Sequence, residues 1–328
     1  MIISKTPIRI SFFGGGTDYP DYYRKHSGEA LSTSIDKYIY ITVKKMESIS
    51  DFKYKINYSK LEACNSVDEI QHPVVKACIK FLEIEDSIEI HVISDLPAKS
   101  GTGSSSSFTV GLLNALHCLK DRAVSKERLA KEAIHIEQVI LNERVGVQDQ
   151  LAAAYGGLNH LTFREDDKLN VDKIILKKEI IDSLDNNLLM FYTGVSRFAH
   201  QVLEEQIEKT KNQTINKDLD EIKKMVQTGI NYLSNNKLFE FGELLDHAWK
   251  VKKMLSNSIT STFLDEIYDK AINAGAIGGK LLGAGGGGFF VFYVEDSQKS
   301  EVRKSLSEYK EVKFNFESDG SRIIFNNY

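Results

Sequence analysis

The sequence predicts an α+β protein built as two domains, and three observations carry that expectation. Strand-like and helix-like patterns alternate along the chain without repeats or low-complexity linkers. At 328 residues, 42% of them apolar, the chain is long enough for two packed domains of ordinary globular composition. A polar stretch over 164–187, followed by the strand "NLLMFYTG", reads as a passage to a second half. The expected division is 1–175 and 176–328, with a soft boundary between 160 and 190.

The elements follow from their periodicities. "IRISFF" is an apolar strand. "KYIYITVKK" sets Ile39, Ile41 and Val43 on one face with tyrosines opposite, a half-buried strand, and "SIEIHVISDLP" repeats the alternation. In "LPAKSGTGSSSSFTVGLLNAL" (96–116), Phe108, Leu112 and Leu116 recur at helical spacing, thickened by Val110, Leu113 and Leu119. The serines before them open a buried helix, entered through a glycine loop. A second helix covers 126–141, and a third, 147–155, is stopped by Gly156 and Gly157. Residues 198–274 are mostly helical, with "IEKTKNQTINKDLDEIKK" a solvated, charge-mixed segment. "GGFFVFYV", "EVKFNFES" and "SRIIFNNY" return to strands.

Composition narrows the function. A net charge of -4 gives no global basic field, which disfavours nucleic acid. Three scattered cysteines fit a reducing compartment. Lys5 and Arg9 interrupt any apolar core of a leader peptide, and no stretch approaches the roughly 20 apolar residues of a membrane span. The expectation is a cytoplasmic protein without membrane partners.

Three glycine clusters punctuate the layout: "FFGGGTDYPDYY" (12–23), "SGTGSSSS" (100–107) and "KLLGAGGGGFFVF" (280–292). Three such clusters imply backbone that approaches something closely at several points. None fits a Walker loop or the dinucleotide fingerprint. A helix start after a glycine loop offers free N–H groups and a partial positive charge, which suits a phosphate; a plain serine cap is the alternative.

Four charged residues stand out. Glu137 occupies the middle of an apolar stripe with Ala130, Ile134 and Leu141, so it needs a cation, a proton or a buried partner. With a serine hydroxyl and phosphate oxygens it would suit Mg²⁺; a buried ion pair is the alternative. Asp149 opens a helix, Arg9 sits in an apolar strand and Asp18 follows the first glycines. Each also has a plain structural reading, as cap, edge-strand charge and turn residue.

Taken together these motifs resemble one family. "PAKSGTGSSSS" resembles the Pro-x-x-x-Gly-Leu-Gly-Ser-Ser-Ala loop of the GHMP kinases, named for galactose, homoserine, mevalonate and phosphomevalonate. "VQDQ" is similar to the Asp-containing motif of their sugar-kinase members, and "KLLGAGGGGFF" to their C-terminal glycine motif. The motifs occur in family order across residues 7–292. Thr102 replaces the usual Leu, and Ser106 and Ser107 replace small apolar residues.

The resemblance implies an N-terminal domain with a left-handed βαβ crossover, a ferredoxin-like C-terminal domain and an active site between them. It implies that Pro97, Gly101, Thr102, Gly103, Ser104, Ser105 and Ser106 bind ATP, and that Ser105 and Glu137 hold Mg²⁺. Asp149 would take or orient the proton of the attacking sugar hydroxyl, and Arg9, beside it, would stabilise the transferring phosphoryl group. Asp18 would hydrogen-bond the sugar, in a substrate region with Gly14, Gly15, Gly16, Thr17, Gly285 and Gly286. Galactokinases carry Gly-Glu-His-Thr-Asp-Tyr where this chain has "GGGTDY", so galactose is disfavoured.

The opening "TPIRISFFGGGTDYPDYY" is similar to that of the family's heptose-7-phosphate kinases and of its fucokinases. A phosphorylated sugar needs a second anion site. Gly14 to Gly16 could supply one as a backbone nest, and Arg197 in "YTGVSRFAHQV" could clamp the phosphate from a helix start or lie on a helix surface. The expected protein is thus an ATP- and Mg²⁺-dependent sugar 1-kinase, monomeric or homodimeric. A non-catalytic sugar sensor is the competing class.

Overall fold

The computed structural model describes residues 1–47, 49–98, 100–195, 205 and 207–328. Its first sheet is built on β1 (Ile2–Phe13) and β2 (Gly28–Lys45), an antiparallel pair joined through α1 (Pro20–His26). β2 is long enough to serve two partners. Its first half pairs with β6 (Leu158–Phe163) and its second with β5 (Ile88–Ser94). β3 (Tyr54–Asn57) runs parallel to β5 through a crossover that contains α2 (Pro73–Phe81), and β4 (Leu61–Cys64) and β7 (Leu169–Lys173) extend the edges.

The helix predicted after the serines is α3 (Ser104–Leu119), with Phe108, Leu112 and Leu116 all buried. It lies on β1 at close range. A Cβ at Gly111 would sit 2.6 Å from Thr6 Oγ1, and the Ser4 hydroxyl donates to the Gly111 carbonyl at 2.8 Å. The next predicted helix, 126–141, is not uniform: α4 (Lys126–Ile134) widens into a π-helical segment, His135–Ile140. α5 (Gln148–Tyr155) ends, as expected, at Gly156 and Gly157, both at positive φ (68° and 85°).

The second sheet has the order β11-β8-β10-β9, every pair antiparallel: β8 (Leu188–Tyr192), β9 (Gly278–Leu281), β10 (Phe289–Tyr293) and β11 (Lys310–Glu311). Numbered within the domain this is 4-1-3-2, the ferredoxin-like arrangement. Between β8 and β9 come α7 (Asn216–Ser234), α8 (Leu238–Leu255) and α9 (Thr262–Asn273); α10 (Lys299–Ser305) precedes β11. The polar passage is more structured than its composition suggests, since it holds β7 and α6 (Lys178–Asn186). The charge-mixed segment likewise contains the start of α7, which buries Leu219 and Ile222.

The domain division needs one correction. The last strands do not stay with the second half: β12 (Phe316–Glu317) pairs with β2 and β13 (Arg322–Asn326) with β1. β13 covers an edge of β1 that would otherwise present unpaired backbone groups. The halves also share a core. Phe241 of α8 packs edge-on against Phe12 and Phe13 of β1, with ring centroids 5.3 and 5.2 Å apart. Among the described residues, no helix is long and apolar enough to cross a membrane.

Candidate active site

A cavity lies between the halves, bounded by the loop before α3, the glycine loop after β1, the start of α5, and residues of α8 and β9. The loop before α3 is shaped for close approach. Gly101 and Gly103 have φ of +81° and +74°, and Gly103 is the cap of α3. Because a glycine caps the helix, the plain serine-cap alternative falls away. The first-turn N–H groups of Ser104 to Ser106 have no partner within the helix and stand at the cavity, which these three serines line.

Under this loop Arg9 and Asp149 form a two-pronged pair. Arg9 Nε donates to Asp149 Oδ1 at 2.8 Å and Nη2 to Oδ2 at 2.9 Å, while Nη1 donates to the Gly101 carbonyl at 2.7 Å. β1 supplies the arginine and the first turn of α5 the aspartate. Gly103 is what lets the loop lie across them, since a Cβ there would come within 3.3 Å of both side chains. Arg9 is 4% exposed, so the pair works at low effective dielectric.

Asp18 is buried at the same cavity. Its carboxylate accepts from Gly16 N at 3.0 Å and Gln148 N at 3.4 Å. Burial, with the charge of Asp149 second, pushes its carboxyl up to about 6. Gln148, which no sequence pattern marks, also lines the cavity and accepts the Ser11 hydroxyl at 2.8 Å.

Glu137 lies behind the serine loop, 1% exposed, within the π-helical segment. Ser106 Oγ donates to its Oε2 at 2.9 Å and Gln150 Nε2 donates to the same oxygen; Oε1 is buried without a hydrogen-bond partner among the described residues. Burial pushes this carboxyl up to about 7 against the opposing pull of the Thr109 hydroxyl, the Gln150 amide and the Ser106 hydroxyl. The serine hydroxyl that reaches Glu137 belongs to Ser106. Ser105, the serine expected beside it, is instead exposed at the cavity. An orphaned buried carboxylate oxygen next to a hydroxyl and a phosphate-type loop fits a hard divalent cation such as Mg²⁺.

Two cations, Lys280 buried and Lys252 half-buried, are not singled out by the sequence. Lys280 of β9 is 6% exposed and donates to the Phe12 carbonyl at 2.7 Å. Lys252 of α8 donates to the carbonyls of Leu281 at 2.9 Å and Gly283 at 2.6 Å. Both line the cavity. Burial, then Arg9, brings Lys252 down to about 7; burial, then Lys252 and Arg9, holds Lys280 well below the ordinary lysine range. The signal that reveals Glu137 was present here too. Lys252 falls in the stripe Leu245, Ala248, Leu255, and Lys280 interrupts an apolar run.

Several predicted contacts are not at the cavity. Pro97 is exposed on the approach to the loop. Thr102 is fully buried and braces the loop: its carbonyl accepts Arg9 N at 3.0 Å and its hydroxyl pairs with Ser100 at 3.1 Å. Thr17 is also buried, donating to the Gly14 and Glu29 carbonyls, both at 2.8 Å. Gly14, Gly15 and Gly16 do line the cavity, but they form no open nest, because Gly16 N is held by Asp18 and Thr17 N by the Gly14 carbonyl. Gly285 and Gly286 pack against Ile259; the third glycine motif reaches the cavity through Gly283 and Ala284 instead. Arg197 lies outside the described residues.

Comparison with known proteins agrees with this layout. The pattern of the GHMP kinases N terminal domain matches residues 73–157, and that of the GHMP kinases C terminal region matches 230–312. The chain is 30% identical over 93% of its length, and 93% of the relative's, to a D-glycero-alpha-D-manno-heptose 7-phosphate kinase of Campylobacter jejuni. It is 25% identical, over 93% of this chain and 31% of the relative, to a bifunctional fucokinase/GDP-fucose pyrophosphorylase of Arabidopsis thaliana. A crystal structure described as a D-glycero-D-manno-heptose 1-phosphate kinase from Bacteriodes thetaiotaomicron superposes with a TM-score of 0.83 at 26% identity, covering 100% of both chains. With the serine loop, the Arg9–Asp149 pair and the C-terminal glycine loop meeting at one cavity, the chain belongs to the GHMP kinase family.

Proposed function

We propose that this protein transfers the terminal phosphoryl group of ATP to the anomeric oxygen of D-glycero-D-manno-heptose 7-phosphate, giving the 1,7-bisphosphate. The observation that carries the reading is the Arg9–Asp149 pair beneath the serine loop, with Asp18 in the same cavity. The similarity to the heptose 7-phosphate kinase supports the choice of sugar.

The residues divide the work. The N–H groups opening α3 receive phosphate oxygens, and the helix end adds a favourable field. Mg²⁺, held by Glu137 with Ser106, would neutralise charge on the phosphates. Asp18 accepts hydrogen bonds from sugar hydroxyls and so orients the acceptor. Asp149 takes the proton of the anomeric hydroxyl as its oxygen bonds to phosphorus and the bond to ADP breaks. Arg9 fixes the carboxylate while leaving each of its oxygens a further lone pair for that proton. Its charge also opposes the negative charge of the group in transfer.

The test is a kinetic panel with ATP and Mg²⁺: heptose 7-phosphate, heptose 1-phosphate, unphosphorylated heptose, fucose and galactose. Heptose 7-phosphate should give the highest kcat/KM, with product phosphorus at C1. A higher value for fucose or plain heptose would overturn the substrate assignment, and no turnover of any sugar would return the protein to the sensor class.

A further inference from the structure

The two lysines of the second domain have no role in the reaction as described so far. A lysine ammonium carries three N–H donors. Lys252 uses two and Lys280 one, all on backbone carbonyls, which leaves one on Lys252 and two on Lys280. Neither ammonium has a carboxylate partner among the described residues. A charge on the buried Lys280, and to a lesser degree on the half-buried Lys252, is costly unless an anion joins it.

Their contacts place them beside the reacting centre. Lys252 holds the carbonyl of Gly283, and a Cβ at Gly283 would lie 2.4 Å from the Gly101 Cα. The carbonyl of Gly101 in turn holds Arg9 Nη1, whose guanidinium grips Asp149. Lys280 reaches Phe12, three residues along β1 from Arg9. All three cations line one cavity, where the carboxylates are Asp149, already paired with Arg9, and Asp18. The Arg9 guanidinium and two lysine head groups, which an arriving anion would favour in the charged form, converge on the space between the serine loop and the sugar site.

We infer that Lys252 and Lys280 contact the phosphoryl group in transfer, forming with Arg9 a three-cation cradle to which both domains contribute. The inference rests on the kinase reading of the cavity, not on which sugar is the acceptor. Charge spreads over the equatorial oxygens of that group in the transition state, and fixed donors in a dry site stabilise it most.

Lys252→Met and Lys280→Met keep chain length and remove the charge. Each should lower kcat by about 10² or more while leaving KM for ATP and sugar within roughly threefold. ADP with aluminium fluoride, a mimic of the planar phosphoryl group, should bind the wild type far more tightly than ADP alone. The variants should bind ADP normally and lose that tightening. Retained tightening, or a rise confined to the KM of a sugar phosphate, would overturn the inference; the latter would assign the lysines to the acceptor's own phosphate. Should either variant fail to fold, wild-type protein decides: acetic anhydride at pH 8 should acetylate both lysines, ADP with aluminium fluoride should protect them, and ADP alone should not. Equal labelling in all states sinks the proposal. The fluoride complex and labelling do not depend on the identity of the sugar, so a wrong substrate assignment is separable from a wrong assignment of the lysines.

Discussion

Arg9 and Asp149 are 140 residues apart and meet in two parallel hydrogen bonds, at 2.8 and 2.9 Å, with Gly103 close enough that no larger residue would fit over them unmoved. The pairing fixes the carboxylate in one orientation. It also means that Asp149 cannot be altered without leaving a buried guanidinium short of its partner.

Asp149→Asn keeps the shape and one acceptor oxygen but cannot take a proton. Turnover should fall by about 10² to 10⁴, while the dissociation constant for ATP, measured by calorimetry, stays near that of the wild type. A folded variant with near-normal turnover would reduce Asp149 to a structural partner of Arg9.

Glu137 links metal and pH. Its carboxyl is raised to about 7 from the model-compound value of 4.5, so its contribution to stability is fully present below the ordinary value and is lost as pH rises through 7. For a raised acid the folded state binds the proton more tightly, and deprotonation therefore favours unfolding. The loss amounts to at most roughly 3 kcal/mol. Metal-free wild type should melt lower at pH 8 than at pH 5, and Mg²⁺ should restore part of the difference at pH 8. In Glu137→Gln both effects should shrink, together with a raised Mg²⁺ requirement for turnover. If melting curves of the variant keep the wild-type response to Mg²⁺, Glu137 is not a metal ligand.

The contact between glycine loops is testable by a single methyl group. Gly101 has φ +81°, and a Cβ there would stand 2.4 Å from the Leu282 carbonyl oxygen. Gly101→Ala should cost about 1–3 kcal/mol of stability and weaken ATP binding, because the loop must retreat from the third glycine motif. Chemical denaturation and ATP titration measure the two effects. Unchanged values for both would mean that the loops are not held by this contact.

What the sequence made legible were features with a local period or a local clash of chemistry. Glu137 in an apolar stripe, Arg9 in an apolar strand and the glycine clusters are visible in single windows. The identity of the hydroxyl beside Glu137 was not, because the choice between Ser105 and Ser106 depends on a 100° turn about the α3 axis and on the π-helical widening across from it. Lys252 and Lys280 carried the same signal as Glu137. Lysine stems, however, commonly run along apolar faces with the charge in water, so where the head group ends is set by distant partners: the Leu281 and Gly283 carbonyls for Lys252 and Phe12 of the opposite domain for Lys280. The return of β13 to the free edge of β1, more than 300 residues away in sequence, and of β12 to β2 likewise depends on distant partners that no local pattern records.

Asp18 should impose its own pH dependence on sugar binding. Its carboxyl, pushed up to about 6 by burial and by Asp149, accepts hydrogen bonds as the anion; protonation replaces one acceptor oxygen by a donor and weakens its hold on sugar hydroxyls. KM for the sugar should therefore rise as pH falls through 6, with kcat less affected. A sugar phosphate loses its second proton near the same pH, so the wild-type profile alone mixes two ionisations. Asp18→Asn separates them. It keeps the acceptor oxygen of an amide in the cavity but has no proton to gain, so its KM should be raised at pH 8 and should change less than that of the wild type between pH 8 and pH 5. An unphosphorylated acceptor, if turned over at all, removes the substrate's ionisation entirely and should show the Asp18 inflexion by itself. Parallel pH profiles for wild type and Asp18→Asn would mean that Asp18 only anchors its own loop through Gly16 and Gln148.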